Sequence, residues 1–239
     1  MNVYEICPGV LQIEEDYRVY CALVAGETSA VLWDTGTGRK DLKAFVAERV
    51  GTPCTVLNSH GHADHTGGNR RFGKAWLARE DWPLLGGAPD YELEDLSPGE
   101  VFDLGGITAE CVCLAGHTRG SRGLLLRERR LLLAGDALNP RLQLLGPEAG
   151  DIGMLYETLR GVLALPFDGY LTGHGPRPLN KAQVKAHLRH LERFEAASLT
   201  PTVQAGVPVW RDEWRQGALR SVFVLGEAAY AAAKSTAEP

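Results

Sequence analysis

The chain has 239 residues, 44% of them hydrophobic and 23% charged, a balance that supports a packed core without help from disulfides. Its formal net charge is −5, with no long run of like charge, which argues against nucleic acid as a partner. No apolar stretch approaches the ~18 residues that span a membrane, and the start Met1-Asn2-Val3-Tyr4-Glu5 lacks the basic-then-apolar pattern of a secretory leader.

In chain order, Val10–Ile13 and Val19–Val24 are short, apolar and β-branched, which predicts strands. Gly26-Glu27 predicts a turn, and Ser29–Trp33 a strand running into Asp34-Thr35-Gly36. Leu42, Phe45, Val46 and Val50 fall at helical spacing within Asp41–Val50. Thr55–Leu57 is a short buried strand that delivers the chain to His60. Val101–Leu104, Gly105-Gly106 and Ile107–Leu114 read as a hairpin ending at Gly116-His117. Leu124–Leu126 and Leu131–Leu133 flank a charged turn, and the second run ends at Gly135-Asp136. Asp151–Leu165 and Asn180–Ala197 predict helices, the first stopped by Pro166 and the second opened by an Asn180/Gln183 capping box. Between them Tyr170–Thr172 predicts a strand ending at Gly173-His174. Trp82–Gly99 and Leu138–Gly150, rich in Pro and Gly, are expected to be loose segments flanking a site.

The cysteines Cys7, Cys21, Cys54, Cys111 and Cys113 are odd in number and form no Cys-x-x-Cys, which predicts a reduced, cytoplasmic protein. Cys111 and Cys113 share one strand face and read as small buried hydrophobes. Tyr156 and Tyr170 read as packing residues, and His187 and His190 as solvated positions on the polar side of the last helix.

Five of the seven histidines follow one ordered pattern: His60, His62 and His65 in His60-Gly61-His62-Ala63-Asp64-His65, then His117 and His174. With Asp64 and Asp136 they offer imidazole nitrogens and carboxylate oxygens, the donors a zinc-like ion takes. Seven donors exceed one tetrahedral ion and suit two. Each group follows a strand and precedes a glycine-rich loop, so the groups converge on one sheet edge.

His60-x-His62-x-Asp64-His65, Gly116-His117-Thr118, Gly135-Asp136 and Gly173-His174-Gly175, with the early Asp34-Thr35-Gly36, resemble the metallo-β-lactamase superfamily over about Val10 to Phe194. The resemblance implies an α/β fold, a four-layer αββα sandwich of two mixed sheets flanked by helices, with residues 1–239 as one domain. It implies that His60, His62 and His117 bind a first metal, that Asp64, His65 and His174 bind a second, that Asp136 bridges them, and that Asp34 holds a ligand or the motif loop. Two divalent ions are expected, Zn2+ first, with Mn or Fe able to share the set. The implied chemistry is hydrolysis by a hydroxide shared between the metals, with Asp64 as catalytic residue, orienting the nucleophile or shuttling its proton. Arg119, Arg122 and Arg141 lie near the expected site loops, where one could hold a substrate carboxylate or phosphate.

The bridging Asp136 is typically absent from true β-lactamases of this superfamily. The nucleic-acid-cleaving branches carry large extra domains, and the flavodiiron branch has Glu where this chain has Ala63. The remaining resemblance is to small hydrolases, glyoxalase II-like thioesterases, lactonases and esterases, acting on small-molecule substrates. Two departures point away from glutathione thioesters: Arg119 stands where Pro is usual, and the segment after Ala197 is shorter than glyoxalase II's helical glutathione-binding domain. Two other classes stay open. Persulfide dioxygenases of similar sequence use one iron, held at positions matching His60, His117 and Asp136. The third class is a metal-bound ligand-binding or regulatory protein without turnover. Oligomeric state has no signature in the sequence.

Overall fold

The structure, a computed structural model describing residues 1–195 and 198–235, is built on two mixed sheets packed face to face. The first sheet runs in sequential order through β1 (Asn2–Cys7), β2 (Val10–Glu14), β3 (Tyr20–Ala25), β4 (Ala30–Trp33), β5 (Cys54–Leu57), β6 (Lys74–Leu77) and β7 (Glu92–Asp95). Its first four strands pair antiparallel and the rest join in parallel. The second contains β8 (Val101–Asp103), β9 (Thr108–Cys113), β10 (Arg122–Leu126), β11 (Leu131–Leu133) and β13 (Gly169–Leu171) in the order β13-β11-β10-β9-β8.

Period-two alternation decides the layering. In β4, Val31 and Trp33 face the core between the sheets, while Ala30 and Leu32 face α1 (Leu42–Ala47). Leu124, Leu126, Leu131 and Leu133 join the same inter-sheet core, and Leu125 and Leu132 point outward to α3 (Ile152–Ala164) and α4 (Lys181–Leu191). Every one of these β10 and β11 residues is at most 5% exposed. Strands buried on both faces are continuous apolar runs for this reason. The helix–sheet–sheet–helix stack is therefore present as expected.

Beyond it lies a third sheet with no counterpart in the sequence reading: β12 (Arg141–Leu144) pairs in parallel with β16 (Leu219–Leu225), which continues through β15 (Val207–Gln216) to β14 (Thr200–Gln204). Each stretch expected to be loose carries a strand: β7, at the edge of the first sheet, lies in Trp82–Gly99, and β12, in the third, lies in Leu138–Gly150. Leu142, Leu144, Phe223 and Leu225 share a core with Leu155, Leu159 and Val184, so this sheet packs on α3 and α4. A final helix, α5 (Glu227–Ser235), covers its end through a stacked Trp210–Tyr230 pair.

The third sheet explains three corrections. Helix α4 ends at Leu191, short of the expected Ala197, which lies outside the described residues together with Ala196. Asn180 caps α4 by accepting from the Ala182 amide at 2.9 Å, but Gln183 donates to the Arg220 carbonyl instead of closing a capping box. His187 and His190 are buried, not solvated: the Nδ1 of each lies 2.9 Å from Ser221 Oγ, and His190 Nε2 lies 3.0 Å from Asp212. A fourth correction is at Cys113, which is exposed at the end of β9 while Cys111 is buried. Tyr170 is fully buried, its hydroxyl donating to the Leu138 carbonyl, as expected of a packing residue.

Burial pushes His187 down to about 3. Its unfolded value is ~6.5, so the folded state excludes a proton that the unfolded state takes up. That contribution is full above the unfolded value and is lost as pH falls toward the folded one. We expect the unfolding free energy of the wild type to fall between pH 7 and pH 5 by about 2 kcal/mol more than that of His187→Asn. Urea titrations at the two pH values measure this, and equal losses would remove His187 as the cause.

Candidate metal centre

The site lies where strands of both sheets end. From β5 the chain enters Asn58-Ser59-His60, from β11 it enters Gly135-Asp136, and from β13 it enters Gly173-His174. Backbone bonds seam the sheets at this edge: the Arg122 amide donates to the Ser59 carbonyl at 2.8 Å, and the Tyr20 amide to the Gly173 carbonyl at 2.8 Å. Crowding here requires glycine. Any Cβ on Gly173 would meet Asp136 Oδ1 and lie 2.6 Å from His65 Cε1, and Gly135 sits at φ +50 against Ser59.

All seven expected ligands come together, in three overlapping groups whose ligand atoms each lie within 4.8 Å: His60, His62 and His117; His60, His65 and Asp136; Asp64, His65 and His174. His62 Nδ1 stands 2.9 Å from His60 Nε2 and 3.1 Å from His117 Nε2. His174 Nε2 lies 3.1 Å from Asp136 and 3.5 Å from Asp64, and His65 Nε2 lies 3.5 Å from Asp136 Oδ1. Asp64 and His65 sit on the short helix α2 (Ala63–Thr66), with His62 at its N-cap.

The opposite nitrogen of each ring is held from behind. Ser59 Oγ lies 3.0 Å from His60 Nδ1, Asp34 2.9 Å from His65 Nδ1, the Gln143 carbonyl 2.8 Å from His117 Nδ1, the Arg18 carbonyl 3.2 Å from His174 Nδ1, and Glu148 3.3 Å from His62 Nε2. Such partners fix ring orientation and leave the inner nitrogen's lone pair for a cation. Two buried inner atoms, His65 Nε2 and Asp136 Oδ1, have no hydrogen-bond partner. Buried polar atoms are almost always satisfied, so this pair fits a missing cation.

Electrostatics agree. Burial, joined by repulsion from His65 and His117, holds His60 well below its ordinary value, and burial lowers His117, so both rings are neutral. For His65 burial is outweighed by Asp34 and Asp136, which lift it to about 9. Asp136, although buried, is held well below the carboxylate range by His65 and His174. The Asp34, Asp64, Asp136 end thus carries surplus negative charge where a divalent ion would sit.

Asp34 is fully buried in a left-handed conformation (φ 63), accepting from the Ser59 amide at 2.7 Å and hydroxyl at 2.8 Å while it holds His65. A non-glycine residue there is strained, and three bonds to the motif loop offset the cost. Asp81 and Glu148 were not legible in the sequence. Fully buried Asp81 accepts from the Gly61 amide (2.9 Å), the Thr118 hydroxyl (2.7 Å) and the Gly120 amide (2.9 Å), tying the His60–His62 loop to the His117 loop.

The three arginines separate. Arg119 is exposed two residues beyond His117, on the site loop. Arg122 is buried, its guanidinium directed to the Leu96 carbonyl and Glu80, so it braces the second sheet and is not presented to a substrate. Arg141 lies on β12 and bonds Gln204. No cysteine joins the metal-ligating groups among the described residues.

The sequence profile described as "Metallo-beta-lactamase superfamily" matches residues 15–195. The chain belongs to that superfamily. A "Hydroxyacylglutathione hydrolase" of Anaeromyxobacter dehalogenans is 32% identical over 202 residues, covering 76% of this chain and 75% of that one. Another, of Erythrobacter litoralis, is 33% identical over 121 residues, covering 48% of this chain and only 44% of the relative. Among solved structures, a metallo-beta-lactamase from Pontibacter korlensis superposes with TM-score 0.66 at 20% identity, over 81% of this chain and 99% of that one, which is a likeness of fold.

Proposed function

We propose that the protein is a metal-dependent hydrolase that cleaves an ester, thioester or lactone bond of a small molecule, using two divalent ions, Zn2+ by preference with Mn or Fe as substitutes. The observation that carries this is the pair of buried atoms His65 Nε2 and Asp136 Oδ1, which face each other at 3.5 Å without a hydrogen bond at the junction of the ligand groups. The hydroxyacylglutathione hydrolase relatives supply the thioester analogy. His60, His62 and His117 would hold one ion, Asp64, His65 and His174 the other, and Asp136 both. When bound, such ions lower the pKa of water toward ~7 and polarise a carbonyl.

The chain's own residues do the rest. Asp34, Ser59, Glu148 and Asp81 hold ligands and loops in place before substrate arrives. Asp64, whose side chain is 40% exposed, relays the proton: water's oxygen bonds to the carbonyl carbon, the C–O or C–S bond breaks, and the leaving group takes the proton. Arg119 on the rim is placed to meet an anionic substrate group. We read residues 1–239 as one such domain, because the third sheet shares its core with α3 and α4. The free cysteines fit a reducing cytoplasmic setting, and among the described residues no helix is long and apolar enough to cross a membrane.

Elemental analysis of the purified protein and a panel of esters, thioesters and lactones test the reading. Two zinc-like ions per chain, with turnover lost on chelation and in His62→Ala, are expected. One iron per chain with oxygen uptake on a persulfide would replace it with the dioxygenase reading. Metal-loaded protein inert on both assays would leave the non-catalytic one.

A further inference from the structure

Gln12 Oε1, Trp33 Nε1 and Thr172 Oγ1 are buried, and no described residue offers any of them a hydrogen bond. All three residues line one cavity of about 10 Å³ between the two large sheets, and every residue of its wall is buried. Strand register explains the space. Gln12 pairs with Ala22 and Ala22 with Trp33, so the three form one row across β2, β3 and β4. Alternation turns that row toward the second sheet, since Val10, Ala22 and Trp33 all belong to the inter-sheet core. The small Ala22 between two long side chains leaves room above its methyl group. Thr172 closes the cavity from the end of β13.

The donor and acceptor types decide what fits. The Trp33 indole N–H can only donate, and Gln12 Oε1 can only accept. The Gln12 amide is oriented by its other end, where Nε2 donates to the Gly175 carbonyl at 2.8 Å. A cation could not accept from the indole, and a halide could not donate to the amide oxygen. Water does both, and the Thr172 hydroxyl, donor and acceptor alike, supplies a third bond. A buried water needs ~10–15 Å³ of such space and two to four polar partners, so the cavity suits one molecule. Buried polar atoms are almost always satisfied, and a single water satisfies all three.

We propose that one water molecule is a built-in part of this fold, bonded to Trp33 Nε1, Gln12 Oε1 and Thr172 Oγ1, and that it clasps the two sheets beside the metal centre. Trp33 is followed by Asp34, which holds His65, and Thr172 by Gly173-His174. Asp34, Gly135 and Gly173 also line the cavity. The clasp thus joins the strand ends that lead to Asp34, Asp136 and His174, which makes Gln12, Trp33 and Thr172 positioning residues. The water site needs no metal, whereas its effect on the ligands rests on the metal-dependent reading above.

Magnetic relaxation dispersion of the water oxygen, recorded on the full chain with and without zinc, counts water molecules held far longer than surface water. Ala22→Val fills the cavity with methyl groups and should lower that count by one. In the isotope-labelled wild type, the Trp33 indole N–H, identified by its loss in Trp33→Phe, should show a cross-peak to bound water. A count unchanged by Ala22→Val overturns the water site. If that variant does not fold, a missing water cross-peak at the Trp33 indole overturns it instead. Chelator competition should show zinc bound about tenfold more weakly by Thr172→Val, which removes one partner while keeping the side chain's shape. Thr172→Ser keeps the hydroxyl and should stay within about threefold of the wild type. Wild-type zinc affinity in Thr172→Val overturns the positioning role. Protein that binds no zinc at all sinks the metal reading, and the water count taken without zinc still decides the site.

Discussion

Asp136→Asn is expected to lower both metal content and turnover, cutting kcat/KM by about 10³ or more. The substitution keeps the shape of the side chain and removes its charge. Asp136 is the one carboxylate that reaches both ends of the centre, 3.1 Å from His174 Nε2, 3.5 Å from His65 Nε2 and 3.8 Å from His117 Nε2. Asparagine would offer one oxygen and turn an N–H donor toward one of the ion positions, so neither rotamer serves two cations. Removing the charge also deprives His65 of a partner that, with Asp34, holds its pKa at about 9 against burial. Without Asp136, less negative charge remains to attract the second ion. Elemental analysis after dialysis against a weak chelator, together with steady-state kinetics, checks the outcome. A variant that retains full metal and works within about threefold of the wild type would remove Asp136 from the centre.

The candidate ligand groups were legible because each group follows an apolar run. Leu131–Leu133 is buried on both faces, so its pattern stands out from one sequence, and Asp136 follows within three residues of its end. The same holds for Leu57 before His60 and Leu171 before His174. The third sheet was not legible, because β12 is four residues long and pairs with a strand whose matching residues begin at Val222. No local period records so distant a partner. That partner also explains His187 and His190. Helical spacing reveals a stripe through Val184 and Leu191, but α4 has a second buried face, because β16 packs along it and supplies Ser221. Asp81 follows the exposed Arg79 and Glu80, and Glu148 stands in a Gly- and Pro-rich stretch, so nothing local marks either carboxylate, and their roles exist only in the folded loops.

Asp81→Ala is expected to weaken metal binding about 10- to 100-fold and to cost about 3 kcal/mol or more of stability, although Asp81 touches none of the ligand side chains. Its two oxygens accept three hydrogen bonds in a fully buried position. Alanine would leave the Gly61 and Gly120 amides and the Thr118 hydroxyl with no carboxylate in a dry interior, and unmet buried donors carry the full desolvation cost. Gly61 lies between His60 and His62, and Thr118 and Gly120 follow His117, so the loops would drift apart along the line that joins the three ligands of one group. Zinc affinity should therefore fall further than uniform loosening predicts, and further than at the Asp64, His65, His174 group. Asp81→Asn separates positioning from bulk stability: its oxygen can serve one loop while its N–H group opposes the other, which places it between wild type and alanine in zinc affinity. Chelator competition measures affinity, and thermal unfolding of the metal-free protein measures the stability loss separately. If zinc affinity in Asp81→Ala stays within about threefold of the wild type while stability drops, Asp81 is a core carboxylate only, and the alignment of the two loops is set elsewhere.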